Sequence, residues 1–205
     1  MIFINKKQEP KSLLKYRVNK RNLADITYDN FRDKDDVRDA LLAEQGHICA
    51  YCMQRITKDK MKIEHFACQS NNSELELNFS NMLGCCMGGH GNSKEYQHCD
   101  TRKNDEIIKF NPSNPHHKNL LKIYYDRNGL ISSEDEEFDK NLNEILNLNL
   151  EFLKNNRKAV LEQLYESFEK VKGTATKKDW EKKLLNFRNP NNGKLFPYCG
   201  IALYY

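Results

Sequence analysis

The sequence predicts an α+β chain: a small thiolate-stapled module, flanked by an N-terminal arm and a mainly helical C-terminal region. Three observations predict it. Cys49 and Cys52 form a C-x-x-C turn, and Cys85, Cys86 and Cys99 follow around a loop containing Gly88, Gly89 and Gly91. Arg127-Asn128-Gly129 separates two apolar runs, which is a hairpin signal. From Leu142 to Phe168 apolar residues recur near the helical period. The expected segments are 1–46, arm and helix; 47–112, the module; and 113–205, hairpin plus helices.

The elements follow in order. Met1 to Asn5 reads as a short strand, and Pro10 leads into a first helix or an extended arm. Lys15, Arg17, Lys20 and Arg21 make this region basic, with a solvated face the commoner reading and DNA or an acidic partner the other. Asp33 to Glu44 has acids in its first turn, apolar Val37, Ala40 and Leu41, and a stop at Gly46, which together mark an amphipathic helix. Lys62 to Phe66 reads as a strand and Asn78 to Leu83 as the loop facing it, while Asn111-Pro112 stops what precedes it. Leu120 to Tyr125 and Gly129 to Ser132 are the hairpin arms. The acidic run Glu134 to Glu137 then opens a helical stretch, with a break at Leu146 to Leu150 and an end at Gly173. A further helix spans Thr176 to Phe187 with a threonine cap and Lys177, Lys178, Lys182 and Lys183 on its polar side. Phe196 to Tyr205 reads as a docked terminal strand.

Composition bounds the function only loosely. Lys and Arg number 33 against 29 Asp and Glu, so any attraction to nucleic acid must come from local patches. No run approaches membrane-spanning length, so no membrane is expected. Seven cysteines without a signal sequence predict reduced thiols in the cytoplasm.

The chemistry lies between Cys49 and Lys103. Thiolates are soft ligands, and Cys49, Cys52 and Cys99 with Cys86 are expected to bind one structural Zn²⁺. Cys85 is the alternative third ligand, and scattered core thiols are the blander reading. Glu64 and Asp100 offer the hard oxygens that Mg²⁺ or Mn²⁺ prefers, so one segment can sort two metals by softness. His65 is the natural general base for activating water. Asn81 is placed to hydrogen-bond the backbone and hold His65 in register, and Lys103 to meet a phosphate. Taken singly, each has a duller reading: a strand end for Glu64-His65, a turn residue for Asn81, a helix cap for Asp100.

The order C-A-Y-C (Cys49 to Cys52), Glu64-His65, Asn81, then Cys99-Asp100-Thr101-Arg102-Lys103 resembles the zinc-bearing HNH endonucleases, the ββα-metal nucleases. That resemblance implies a zinc-stapled ββα-metal HNH module with a helix over Asp100 to Ile108. In that superfamily the His is the general base, the acid before it and the last motif residue hold a divalent metal, and the Asn steadies the loop. These roles fall on His65, Glu64 with Asp100, and Asn81. The chain departs from the pattern at Asp100, where His or Asn is commoner, at Cys68, where proline often follows, and in its long Cys86 to Cys99 loop.

A narrower likeness covers most of the chain. Met1 to Ile4, Leu41 to Cys52, Gly88-Gly89, His98-Cys99-Asp100, Ile107 to Pro112 and Leu146 to Asn149 together resemble the PtuB family of Septu anti-phage systems, a protein type that also accompanies some retrons. It implies antiviral defence by cutting nucleic acid, DNA in the first instance, and a partner of the PtuA-like ABC/SMC ATPase kind. Two rival readings are a zinc module that binds nucleic acid without cutting it and an adaptor for a larger ATPase.

Overall fold

Local signals set the first long helix. Asp35 and Asp36 sit at the positive end of α2 (Lys34–Gln45), and Gly46 closes it in the left-handed conformation (φ 60°). Val37, Leu41 and Leu42 form its buried face. The computed structural model describes residues 1–18, 26–169 and 176–205; Lys20, Arg21 and the helix end expected at Gly173 lie outside them.

The first residues do not form the expected strand. The Ile4 amide donates to the Pro112 carbonyl (2.8 Å), and Lys6 bonds Glu44 (2.6 Å) and the Met82 carbonyl (2.9 Å), so isolated contacts replace a ladder. After Pro10 the chain enters α1 (Lys11–Arg17), which buries Leu13.

β1 (Lys62–His65) pairs antiparallel with β2 (Met82–Cys85), setting Glu64 opposite Leu83 and His65 opposite Met82. The loop expected over 78–83 is thereby divided. Asn78 accepts the Ser80 amide and caps a 3₁₀ turn (Phe79–Asn81), while Met82 and Leu83 join the ladder because the core takes both side chains. α3 (Cys99–Lys103) is shorter than the expected Asp100 to Ile108, because Asn104 adopts φ 49° and ψ −129°, which no helix continues.

β3 (Ile123–Tyr125) and β4 (Ile131–Ser133) form a second two-stranded antiparallel sheet. The Asp126 carboxylate accepts the Asn128 and Leu130 amides across their turn. Gly129 is required there: its φ is 79°, and a Cβ would lie 2.2 Å from the Lys154 carbonyl oxygen. Asp135 caps α4 (Glu136–Lys140), a π turn follows at Asn141–Ile145, and the expected break separates it from α5 (Glu151–Glu169). A Thr176–Asp179 capping box opens α6 (Lys177–Arg188). The C-terminal residues form a helix, α7 (Cys199–Tyr204), where a strand was expected. Gly200 explains the close docking of that helix, since a Cβ there would press within 2.9 Å of the Met53 sulfur.

The architecture is thus mixed α and β with two small sheets. One hydrophobic cluster runs from Leu13 through Leu41, Met53, Leu83 and Phe138 to Leu161 and Ile201, joining all three segments. Among the described residues no helix is long and apolar enough to cross a membrane.

Candidate metal centre and adjoining cleft

The four sulfurs expected to converge do so. Cys49, Cys52, Cys86 and Cys99 are all buried, with ligand atoms within 4.8 Å of one another. Cys49 Sγ lies 3.8 Å from Cys99 Sγ, and Cys52 Sγ lies 3.7 Å from Cys86 Sγ. A tetrahedron with zinc–sulfur bonds of about 2.3 Å has edges of about 3.8 Å, so these spacings suit one zinc and are far too long for disulfides. The donor set fits the ion in softness, number and separation.

Backbone geometry aims these thiols. The Cys49 amide donates to the Gln54 carbonyl (2.8 Å), the Met53 amide to the Cys49 carbonyl (3.0 Å), and the Ala50 amide to the Gly84 carbonyl (3.0 Å), tying the turn to β2. Gln45 holds the same place from α2, accepting the Gly84 amide (2.7 Å) and donating to its carbonyl (2.8 Å). Gly88 closes the long loop at its base. It has φ 55°, accepts the His98 amide (3.0 Å), and has no room for a side chain, since a Cβ would sit 2.2 Å from the His98 carbonyl oxygen. Cys99 itself takes φ 55° and donates its amide to the Leu146 carbonyl (2.9 Å). Cys85 is the neighbouring thiol outside the tetrad, and its burial pushes its pKa well up, as befits a protonated core group.

Asp100 follows Cys99 directly and faces the other way, into a cleft of about 480 Å³ that it lines with Glu64 and His65. Glu64 is buried: its Oε1 accepts the Tyr51 hydroxyl (3.0 Å) and pairs with Lys103 Nζ (3.0 Å). Burial first, and then the adjacent Asp100 carboxylate, push the Glu64 pKa well up, with Lys103 opposing. A buried Glu64 carboxylate beside a second carboxylate gains from a hard divalent cation, so the residues present fit such an ion.

His65 is oriented through one ring nitrogen. Nε2 lies 2.8 Å from the Glu76 carbonyl oxygen, which can only accept, so Nε2 carries the hydrogen and Nδ1 keeps the basic lone pair. Tyr28 meets the ring edge-on at 4.5 Å, and burial lowers the His65 pKa below its ordinary value. Asn81 clamps the chain just beyond: its Oδ1 accepts the Ala67 amide (2.8 Å), its Nδ2 donates to the Ala67 carbonyl (3.0 Å), and its own carbonyl accepts the Phe66 amide (2.9 Å).

This chain is similar to a protein of Vibrio cholerae serotype O1 biovar El Tor named "Retron Vc95 putative HNH endonuclease". The two are 24% identical over 168 residues, covering 78% of this chain and 80% of that protein. No family model matches the chain. The likeness supports a nuclease of the HNH type, the superfamily that the order of the motifs resembles.

Lys103 lies elsewhere than expected. Its side chain is wholly enclosed and bound to Glu64, out of reach of a phosphate in solvent. Tyr28, Tyr51 and Lys62 complete the surroundings of the cleft without having been expected there. Tyr28 and Tyr51 carry no sequence mark, since only the fold brings them in. Lys62 does carry one: it precedes Glu64 by two positions on a strand, and so shares its face. A larger and more apolar cavity, about 870 Å³, lies across the glycine loop against Met87, Tyr96, His98 and Phe152. His65, Glu64 and Asp100 are not among its lining residues.

Proposed function

We propose that the chain is a metal-dependent HNH endonuclease that hydrolyses phosphodiester bonds in nucleic acid, with residues 47–112 as its zinc-stapled ββα-metal module. The observation that carries this reading is the convergence of His65, Glu64 and Asp100 on one cleft, with His65 tethered at Nε2 and basic at Nδ1. On this reading Cys49, Cys52, Cys86 and Cys99 hold a structural Zn²⁺, while Glu64 and Asp100 hold Mg²⁺ or Mn²⁺.

His65 Nδ1 takes the proton from a water whose oxygen attacks phosphorus in line with the departing 3′ oxygen. The Glu76 carbonyl keeps the imidazole in its base-ready tautomer, and Asn81 fixes the backbone that follows the imidazole-bearing strand. Glu64 and Asp100 would hold the divalent ion, which when bound would supply positive charge to the phosphoryl and leaving oxygens. The Tyr51 hydroxyl and Lys103 hold Glu64 in place. The expected products carry 5′ phosphate and 3′ hydroxyl.

The relative's name favours an HNH endonuclease that accompanies a retron; the PtuB-like motifs of this chain add a role in anti-phage defence beside a PtuA-like ABC/SMC-type ATPase, with DNA as the first substrate to try. The test is cleavage of plasmid, linear DNA and RNA with Mg²⁺ or Mn²⁺, with and without chelator, alongside elemental analysis for zinc. Chelator-sensitive cutting by the wild type but not by His65→Ala is the expected result. Tight binding without cutting would instead establish a non-catalytic module. Co-purification with a co-expressed ATPase of that class tests the partner.

A further inference from the structure

Resting on the nuclease reading above, we propose that Lys62 is the substrate-phosphate residue of the cleft, held on Asp100 until it exchanges that carboxylate for a phosphodiester oxygen. Lys62 is the one lysine or arginine among the described residues lining the cleft. The other cations nearby are committed. Lys103 is sealed against Glu64, while Arg102 turns away, donating from Nε to the Glu144 carbonyl (3.2 Å) and from a terminal nitrogen to the Lys94 carbonyl (2.8 Å).

Lys62 is committed only lightly. Its Nζ lies 3.2 Å from Asp100 Oδ2 and 2.8 Å from Thr101 Oγ1, and 28% of its side chain remains exposed. A partly exposed lysine–carboxylate pair is weak and readily exchanged, and the four-carbon stem lets the ammonium move without moving β1. Asp100 is also the carboxylate assigned to the divalent cation, so the ammonium and that cation compete for one partner. A lysine released there stays beside the scissile region, on the same strand face as Glu64 and two residues before it.

The experiment measures binding of a fluorescein-labelled DNA oligonucleotide to His65→Ala protein across a salt series, with Lys62 retained or changed to Gln or Arg, while wild-type cleavage is assayed in parallel. Lys62→Gln is expected to raise Kd about tenfold and to lower the slope of log K against log salt by about one, as for loss of one phosphate contact. Lys62→Arg, which keeps the charge, is expected to retain the slope. Mn²⁺ titration followed by electron paramagnetic resonance is expected to show Lys62→Gln binding the ion at least as tightly as the parent, because a competitor has gone. A wild type that binds and cuts while Lys62→Gln keeps the full slope would overturn the assignment and leave Lys62 as a tether for Asp100. A wild type that never cuts removes the nuclease reading itself, and this assignment with it. Melting curves of both variants confirm that each is folded.

Discussion

The thiol tetrad and the carboxylate–imidazole cleft share a single turn of chain yet differ in every physical respect. Cys99 points into a dry pole of soft ligands, and Asp100, its neighbour, points into an open pole of hard ones. The first pole has matched sulfur spacings and a backbone braced by Gln45, Gly88 and Leu146. The second is a pair of carboxylates held by lysines and a tyrosine, with burial and then the neighbouring Asp100 raising the Glu64 pKa. The contrast teaches a division of labour: the backbone bracing is gathered at the thiol tetrad, and Asp100 in the cleft is joined to it through one peptide bond.

If that division holds, the poles should fail differently. The largest separation is expected for His65→Ala, which should lower the rate by roughly 10³-fold, within the range for losing a general base. Its stability should fall by less than about 2 kcal/mol, the scale of one buried neutral hydrogen bond; single-turnover cleavage and thermal melting together measure the split. Loss of fold equal to the loss of rate would erase the comparison. Cys86→Ala should lower Tm by roughly 10 °C or more and release zinc, taking about 2–4 °C per kcal/mol for a chain of this size. Cys85→Ala should keep the zinc and lose only the packing of a small core group. A reversed ranking would move the third ligand to Cys85.

A smaller effect comes from the brace. Gly88→Ala forces a Cβ onto the His98 carbonyl at a left-handed position, so a loss of about 2–3 kcal/mol is expected. Zinc release by a chelator should quicken in that variant, while the pH dependence of any residual cleavage stays unchanged. The smallest effect is in pH itself. Burial holds the His65 pKa below its ordinary 6.5, so the base is neutral at pH 7 and acid must go below that value to protonate Nδ1. The rate should therefore be flat through neutrality and fall only on the acid side of 6.5, as a pH profile of kcat/KM would read.

Much of the cleft and tetrad could be read from residue types in order, because ligand softness and spacing are local properties. The C-x-x-C turn, the helix ending at Gly46 and the Thr176 cap are all of this kind. What could not be read depends on long-range packing. Lys103, on α3, looks like a surface lysine until Glu64 arrives from β1 to pair with it in the interior. The apolar run Phe196 to Tyr205 suits a strand or a buried helix equally, and the decision falls to Gly200 against Met53. Helix α3 stops early at Asn104, whose positive φ is a backbone choice that its residue type permits but does not dictate. Met1 to Asn5 has strand-like residues but makes the isolated Ile4–Pro112 bond in place of a ladder.

The bond from the Cys99 amide to the Leu146 carbonyl bears on how transferable the module is. Arg102 adds a second tie to the same turn through the Glu144 carbonyl, and Ile4 binds Pro112 at the other boundary. A fragment cut at 47 and 112 would keep every motif residue and forfeit all three anchors. Grafting these motifs onto another scaffold therefore demands a substitute acceptor beneath the last cysteine; the cassette is defined by what it leans on as much as by what it contains.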